Sequence, residues 1–96
     1  MRLDVSAGAI NDLRGIFEYS KKNWGIARAR EYANDLRAHL KALTSAELSG
    51  VKAEQIGPGL RRQISGSHVI WFRMENDVVM VIRVLHQSRD VGRWVG

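Results

Sequence analysis

The apolar positions of this chain change period twice. Leu3 and Val5 alternate with Arg2 and Asp4, which is the two-residue period of a short strand. From Ala9 the spacing becomes helical. Ala9, Ile10, Leu13, Ile16, Phe17 and Ser20 fall on one stripe, with Asp12, Arg14, Glu18, Lys21 and Lys22 on the other face. Ser6 stands where an N-cap is needed, although no Glu or Gln follows three residues later to close a capping box. Glu18 and Lys22 form an i,i+4 pair in the favourable order. Asn23-Trp24-Gly25 interrupts the stripe, and Gly25 can take the positive φ that ends a helix. A second stripe follows, in which Ile26, Ala29, Ala33, Leu36, Leu40 and Leu43 step by three and four. Its alanines permit close approach of two helix axes, so the pattern predicts an αα-hairpin, with Tyr32 beside the seam.

Over 44–59 the periodicity dissolves. Ser45, Ser49, Gly50, Gly57, Pro58 and Gly59 are punctuation, and 52–55 reads as a short helical turn or a loop. From Leu60 the chain becomes rich in Val and Ile, broken by Ser65-Gly66-Ser67 and by Asn76-Asp77. A two-residue Asn76-Asp77 loop sets position 73 opposite 80 and position 83 opposite 70, with Arg73 and Arg83 on opposite faces. The expected order is β-α-α-β-β-β. A helix hairpin then covers one face of a small, mainly antiparallel sheet, as an α+β two-layer fold in a single domain over 1–96.

Composition sharpens this picture. A chain of 96 residues buries only roughly 60% of its unfolded surface, which leaves no room for separate binding and catalytic domains. The net charge is +5, arginine outnumbers lysine, and Arg61, Arg62, Arg73, Arg83 and Arg89 lie among or beside the strands, where they are expected to make the sheet a cationic surface. Guanidinium forks in such a setting point to an anionic partner, either nucleic acid or an acidic protein segment. With no cysteine, disulfides and thiolate catalysis are excluded. No segment has the apolar run of a signal peptide or a membrane span, so a soluble, cytoplasmic protein is expected.

Candidate chemistry is sparse. His39, His68 and His86 share no metal-ligand spacing, so neither a metal nor another cofactor is expected. His39 is placed on the solvent side of the second helix. His68 and His86 fall at the same end of the sheet, where with Arg61, Arg83 and Arg89 they would suit acid–base chemistry on a phosphodiester; a plain strand-end histidine is the competing reading. Asp4, Glu75, Asp77 and Asp90 read as turn, cap or salt-bridge residues, and the strand interiors lack the clustered carboxylates of a metal-dependent nuclease. Ser65 and Ser67 have no base beside them in sequence. Trp24 is assigned to core or hairpin packing, Trp71 to the core in preference to an exposed stacking position, and Trp94 to an interface or to packing on its own domain.

Several segments together carry a resemblance. They are the opening 3–19 with Asp12-Leu13 and Ile16-Phe17-Glu18-Tyr19, then Trp24-Gly25 with Ala27, Ala29 and Tyr32. Pro58-Gly59-Leu60-Arg61, Gly66-Ser67-His68-Val69-Ile70 and Phe72-Arg73 follow, and Val81-Ile82-Arg83-Val84-Leu85-His86 with Arg89-Asp90 completes the set. In this order and spacing the chain resembles a ParE-type member of the RelE/ParE superfamily of toxins from type II toxin–antitoxin modules. The resemblance implies the β-α-α-β-β-β fold, a cognate ParD-like antitoxin that wraps the toxin with an acidic, amphipathic segment, and inhibition of DNA gyrase without catalysis. The RelE branch instead cleaves mRNA on the ribosome, with Arg and Lys beside a Tyr or His. Here the sheet half has no tyrosine and only Lys52, so that alternative rests on His86 with Arg61 and Arg83. A third possibility is an inactive, basic antitoxin-binding module. The residues expected to contact antitoxin or target are Arg61, Arg73, Arg83, Arg89, Arg93 and Trp94, and Glu at position 73 or 83 is expected to weaken the antitoxin complex.

Overall fold

Ser6 opens the first helix as its position predicts. Its hydroxyl oxygen accepts the Ala9 N–H at 3.0 Å and donates to the Ile82 carbonyl at 2.6 Å, so the cap also ties the helix start to the last strand. The computed structural model describes residues 1–45 and 50–89. Its elements are β1 (Arg2–Val5), α1 (Ala7–Trp24), α2 (Ile26–Ala42), β2 (Val51–Lys52), β3 (Arg61–Ser65), β4 (His68–Glu75) and β5 (Val78–His86). Gly25 separates the helices at φ 89°, and its N–H closes α1 on the Lys21 carbonyl at 3.0 Å.

The sheet order is β1-β5-β4-β3-β2, with β1 parallel to β5 and the other pairs antiparallel. The expected layers are present. Ala9, Leu36, Leu40, Leu43, Ile70, Phe72, Val79, Val81 and Val84 form the core between helices and sheet, with Leu3, Val5, Leu13 and Ile16 against it. Alternation along β4 sends Val69 and Trp71 to the other face. There they pack with Ala53, Leu60 and Leu85, flanked by Ile56 and Ile82, so the segment after β2 covers a second, smaller core. This double burial explains the unbroken apolar run Val69-Ile70-Trp71-Phe72.

Asn76 (φ 49°) and Asp77 (φ 61°) form the tight hairpin turn that their sequence announced. Arg73 faces Met80 as expected. The register then shifts. Phe72 pairs with Val81 but Trp71 pairs with Arg83, so Arg83 lies opposite Trp71 and not Ile70. The cause is a β-bulge, which adds one residue to β5 and sends Ile82 to the second core. The bulge leaves Arg73 and Arg83 on opposite faces: Arg73 Nε donates to the Pro58 carbonyl at 3.0 Å, whereas Arg83 reaches α1.

Other expectations change. The 44–59 stretch contributes a two-residue edge strand at Val51–Lys52, and residues 54–56 are a turn. Lys21, not Lys22, pairs with Glu18, at 3.2 Å. Trp71 is core as expected, and Trp24, about half exposed, takes the hairpin-packing role, with its ring against Tyr19 of α1 and Tyr32 of α2. Among the described residues, no helix is long and apolar enough to cross a membrane.

Candidate functional site

His68 opens β4 and His86 closes β5, and the two are direct cross-strand partners with rings 5.5 Å apart, edge to face. Tyr32 reaches them from α2. Its hydroxyl lies 2.6 Å from His68 Nδ1, accepts the Ser67 N–H at 3.0 Å, and is 3.3 Å from both the Ser65 carbonyl and Ser67 Oγ. A phenol has one proton to give: given to His68 Nδ1 it puts the ring proton of neutral His68 on Nε2, and given to the Ser65 carbonyl or Ser67 Oγ it leaves the phenol oxygen to accept from an Nδ1–H. His86 Nδ1 accepts the Ser88 N–H at 3.1 Å. Burial, and then the neighbouring His86, lower the His68 pKa from the ordinary 6.5, with Asp12 opposing.

Gly66 makes the Tyr32 contact possible. It sits at φ +60°, and a Cβ there would lie 2.6 Å from the Tyr32 hydroxyl. Gly66→Ala is therefore expected to cost about 2 kcal/mol, combining left-handed strain with a displaced hydrogen-bond hub, measured as a lowered urea midpoint.

Arg83 and Asp12 form the other half of the site. Arg83 Nε and Nη2 meet the two Asp12 carboxylate oxygens at 2.7 and 2.8 Å, and Asp12 Oδ2 also accepts the Val84 N–H at 2.9 Å. This fork raises the Arg83 pKa, chiefly through the hydrogen bonds from Asp12. Asp12, Arg83, His68 and His86 line a cleft of about 760 Å³ between α1 and the ends of β4 and β5, walled by Tyr19 and Trp24 and reaching Arg89.

The structure thus brings together His68, His86, Arg83 and Arg89. It does not bring Arg61 to them. Arg61 faces Phe72, whereas it is Ser65 that faces His68, so Arg61 sits about 13 Å further along β3. Arg73 lies on the far face, and Arg93 and Trp94 lie outside the described residues. Among the described residues, the candidate arginines therefore form no single cationic face. His39 is not simply solvent-facing, because its Nδ1 is 2.6 Å from Ser65 Oγ. That contact gives Ser65 a base neighbour, but the serine is buried. Asp12, assigned to the polar face of α1, is instead the carboxylate anchor of β5. Tyr32 supplies the tyrosine that the sheet half lacks. Neither relation is signalled by sequence spacing, since each joins residues more than thirty positions apart. Among the described residues, no group of three or more His, Cys, Asp or Glu is placed to hold a metal ion.

A second concavity, of about 340 Å³, runs between α1 and α2. Leu13, Phe17, Ala33 and Leu36 make it apolar, and Arg14 and Arg37 also line it.

A family model described as the ParE toxin of the type II toxin-antitoxin system parDE matches residues 3–91, nearly the whole chain. The chain belongs to the ParE toxin family. It is 37% identical over 92 residues to Toxin ParE1 of Caulobacter vibrioides, covering 96% of this chain and 95% of that protein. It is 30% identical over 90 residues to Toxin ParE1 of Mycobacterium tuberculosis, covering 93% and 92%. The fold is shared with a chain from a structure titled the chromosomal ParDE TA system from P. aeruginosa, at TM-score 0.78 and 20% identity, over 90% of this chain and 95% of that one. A chain of the YoeB-YefM complex from Staphylococcus aureus has the same fold at TM-score 0.59 and 12% identity, over 92% and 98%. The ParE family therefore accounts for the whole architecture, from β1 to the end of β5.

Proposed function

We propose that this ParE-family toxin arrests growth by inhibiting DNA gyrase, acts by binding and not by catalysis, and is neutralised by a ParD-like antitoxin. The family match over residues 3–91 carries this reading. The shared fold with a chain from a ParDE system supports the antitoxin as partner. The groove between α1 and α2 suits an amphipathic antitoxin segment, with apolar residues on Leu13, Phe17 and Leu36 and carboxylates beside Arg14 and Arg37. Arg61, Arg73, Arg89, Arg93 and Trp94 are the proposed outer contacts with antitoxin or target. Arg83 is a weaker candidate because Asp12 already binds its guanidinium in two places. Arg73→Glu is thus the cleaner electrostatic test. A tenfold or greater loss of antitoxin affinity by calorimetry is expected, and unchanged affinity removes Arg73 from the interface.

The deciding experiment is a gyrase assay with purified toxin, with and without antitoxin, reading supercoiling and cleaved DNA. Antitoxin-reversible loss of supercoiling with accumulated cleaved DNA is expected. Unchanged supercoiling at stoichiometric excess of toxin rejects the gyrase target.

His68 and His86 in a large cleft, with the Tyr32 hydroxyl against His68, favour a second reading, an mRNA endoribonuclease. Against it, Arg61 is remote from the histidines and Arg83 is neutralised by Asp12. Growth arrest separates the two readings: His86→Ala retains it if gyrase is the target and abolishes it if His86 is catalytic.

A further inference from the structure

Two aromatic rings of α1 open onto the cleft between α1 and the ends of β4 and β5. Tyr19 is 63% exposed and Trp24 49%, and both line that cleft. Neither ring is loose. Trp24 stands edge to face with Tyr19, centroids 6.1 Å apart, and leans on Tyr32 of α2 at 6.5 Å. An indole fixed on two sides and half open offers a flat apolar surface at little further entropic cost. The line of rings continues from Tyr32 to His68 at 5.6 Å and on to His86 at 5.5 Å. At that end the cleft offers hydrogen-bond donors. The Ser88 N–H can only donate, so His86 Nδ1 accepts it, and the Nε2–H of the ring is present whether His86 is neutral or charged. Among the described residues nothing accepts that proton, and the Asn11 side chain, also in the lining, has no hydrogen-bond partner. Arg89 adds a guanidinium. Among the described lining residues Asp12 is the only carboxylate, and it already accepts two hydrogen bonds from Arg83 and one from the Val84 N–H. One carboxylate against two guanidiniums leaves the lining net positive.

We propose that this cleft binds a nucleotide, with the base stacked on Trp24 beside Tyr19 and the phosphate held by His86 Nε2–H and Arg89. The donor-rich, acceptor-poor lining selects the ligand class. A peptide brings backbone N–H groups and carbonyls in equal number, and its N–H groups find few acceptors here. A phosphate brings acceptors alone and a negative charge, which suits an imidazole N–H and a guanidinium. A nucleobase brings the flat face that a half-open indole stacks. The cleft volume, about 760 Å³, falls within the range of small-molecule sites, roughly 300–1,000 Å³. The direction follows from the lining, with rings at the helix-hairpin end and donors where β5 ends. Two sources share this chemistry: a free mononucleotide, and one unit of a single strand, whose successive bases stack on aromatic rings above a cationic surface. The site is independent of the gyrase target, and it asks no catalysis of the histidines.

The test titrates the intact toxin with adenosine 5′-monophosphate, adenosine and hexadeoxyadenylate, and follows the indole N–H and histidine ring signals by NMR. A deoxy strand has no 2′-hydroxyl, so binding is read apart from any ribonuclease chemistry. Saturable shifts of the Trp24 and His86 signals are expected with the monophosphate, at an affinity about tenfold above that of adenosine. Trp24→Ala is expected to weaken binding about tenfold through the lost stacking. Arg89→Gln, at an exposed position, is expected to weaken the monophosphate about fivefold and leave adenosine unchanged, so the test stands even if Trp24→Ala loosens the helix hairpin. Binding of the monophosphate without the hexamer assigns a free nucleotide as the ligand. Binding of both, or of the hexamer alone, assigns a single strand, with an affinity that falls as salt rises. No shift with either phosphorylated probe, equal affinity for adenosine and its monophosphate, or an affinity unmoved by Trp24→Ala or by Arg89→Gln would each overturn the site.

Discussion

Asp12→Ala is expected to destabilise the protein by about 3 kcal/mol. The carboxylate accepts three hydrogen bonds, two from Arg83 and one from the Val84 N–H, and it does so where β5 has just been displaced by the bulge. Removing one member of a fully buried pair costs 3–5 kcal/mol. Side-chain exposure here is 22% for Arg83 and 12% for Asp12, which places the expected loss at the lower end of that range. For a chain of 96 residues this corresponds to a fall in Tm of about 15 °C. Asp12→Asn keeps an acceptor for the Val84 N–H and is expected to lose less. Arg83→Lys gives up the planar fork and is expected to cost about 1 kcal/mol. A double-mutant cycle on Asp12→Ala and Arg83→Ala, read by urea unfolding, is expected to return a coupling of about 1–3 kcal/mol. Additive effects would mean that the pair is a surface ion pair and not the anchor of β5.

Ala33→Trp is expected to weaken antitoxin binding by about 100-fold, or about 2.7 kcal/mol, while leaving the toxin folded. Ala33 lines the α1–α2 groove and is only half-buried, so an indole there occupies the groove without entering the core. An amphipathic helix needs that space for its apolar face. The functional consequence is specific. On the proposed function, the variant is expected to keep its toxic activity but to escape neutralisation, so growth arrest persists when antitoxin is co-expressed. Calorimetry measures the affinity and far-UV circular dichroism the fold. Parental affinity in a folded variant would place the antitoxin elsewhere, with the β1 and β2 edges of the sheet as the next surfaces to examine.

The elements and their layering were legible because periodicity is a local property. Ser6, Gly25 and Asn76-Asp77 each mark a boundary by their own backbone chemistry, and the structure uses all three as caps or turns. The stripes on α1 and α2 marked the core face, with Ala9, Leu36, Leu40 and Leu43 buried as their spacing requires. The ends of the stripes were less legible. Ile10 and Ile26 continue the pattern but are exposed. The bulge was not legible either. Valine and isoleucine suit either register, and the extra residue is absorbed only because Ile82 finds a second apolar surface.

What the sequence by itself determined is the order of elements, the hairpin turns, the face of each helix that meets the sheet and, through the resemblance of its motifs, the toxin family. Only the tertiary structure decided the site. Tyr32 and His68, and Asp12 and Arg83, are joined across layers, and no spacing rule reports a contact between elements that pack face to face. Arg61 and His86 show the converse, since both sit at the limits of strands and only pairing reveals that they lie at opposite ends. Charge was read correctly in amount but not in position. A count of arginines cannot distinguish a guanidinium held by an internal carboxylate, as at Arg83, from one placed for a partner; that depends on which residue the fold brings within hydrogen-bonding distance.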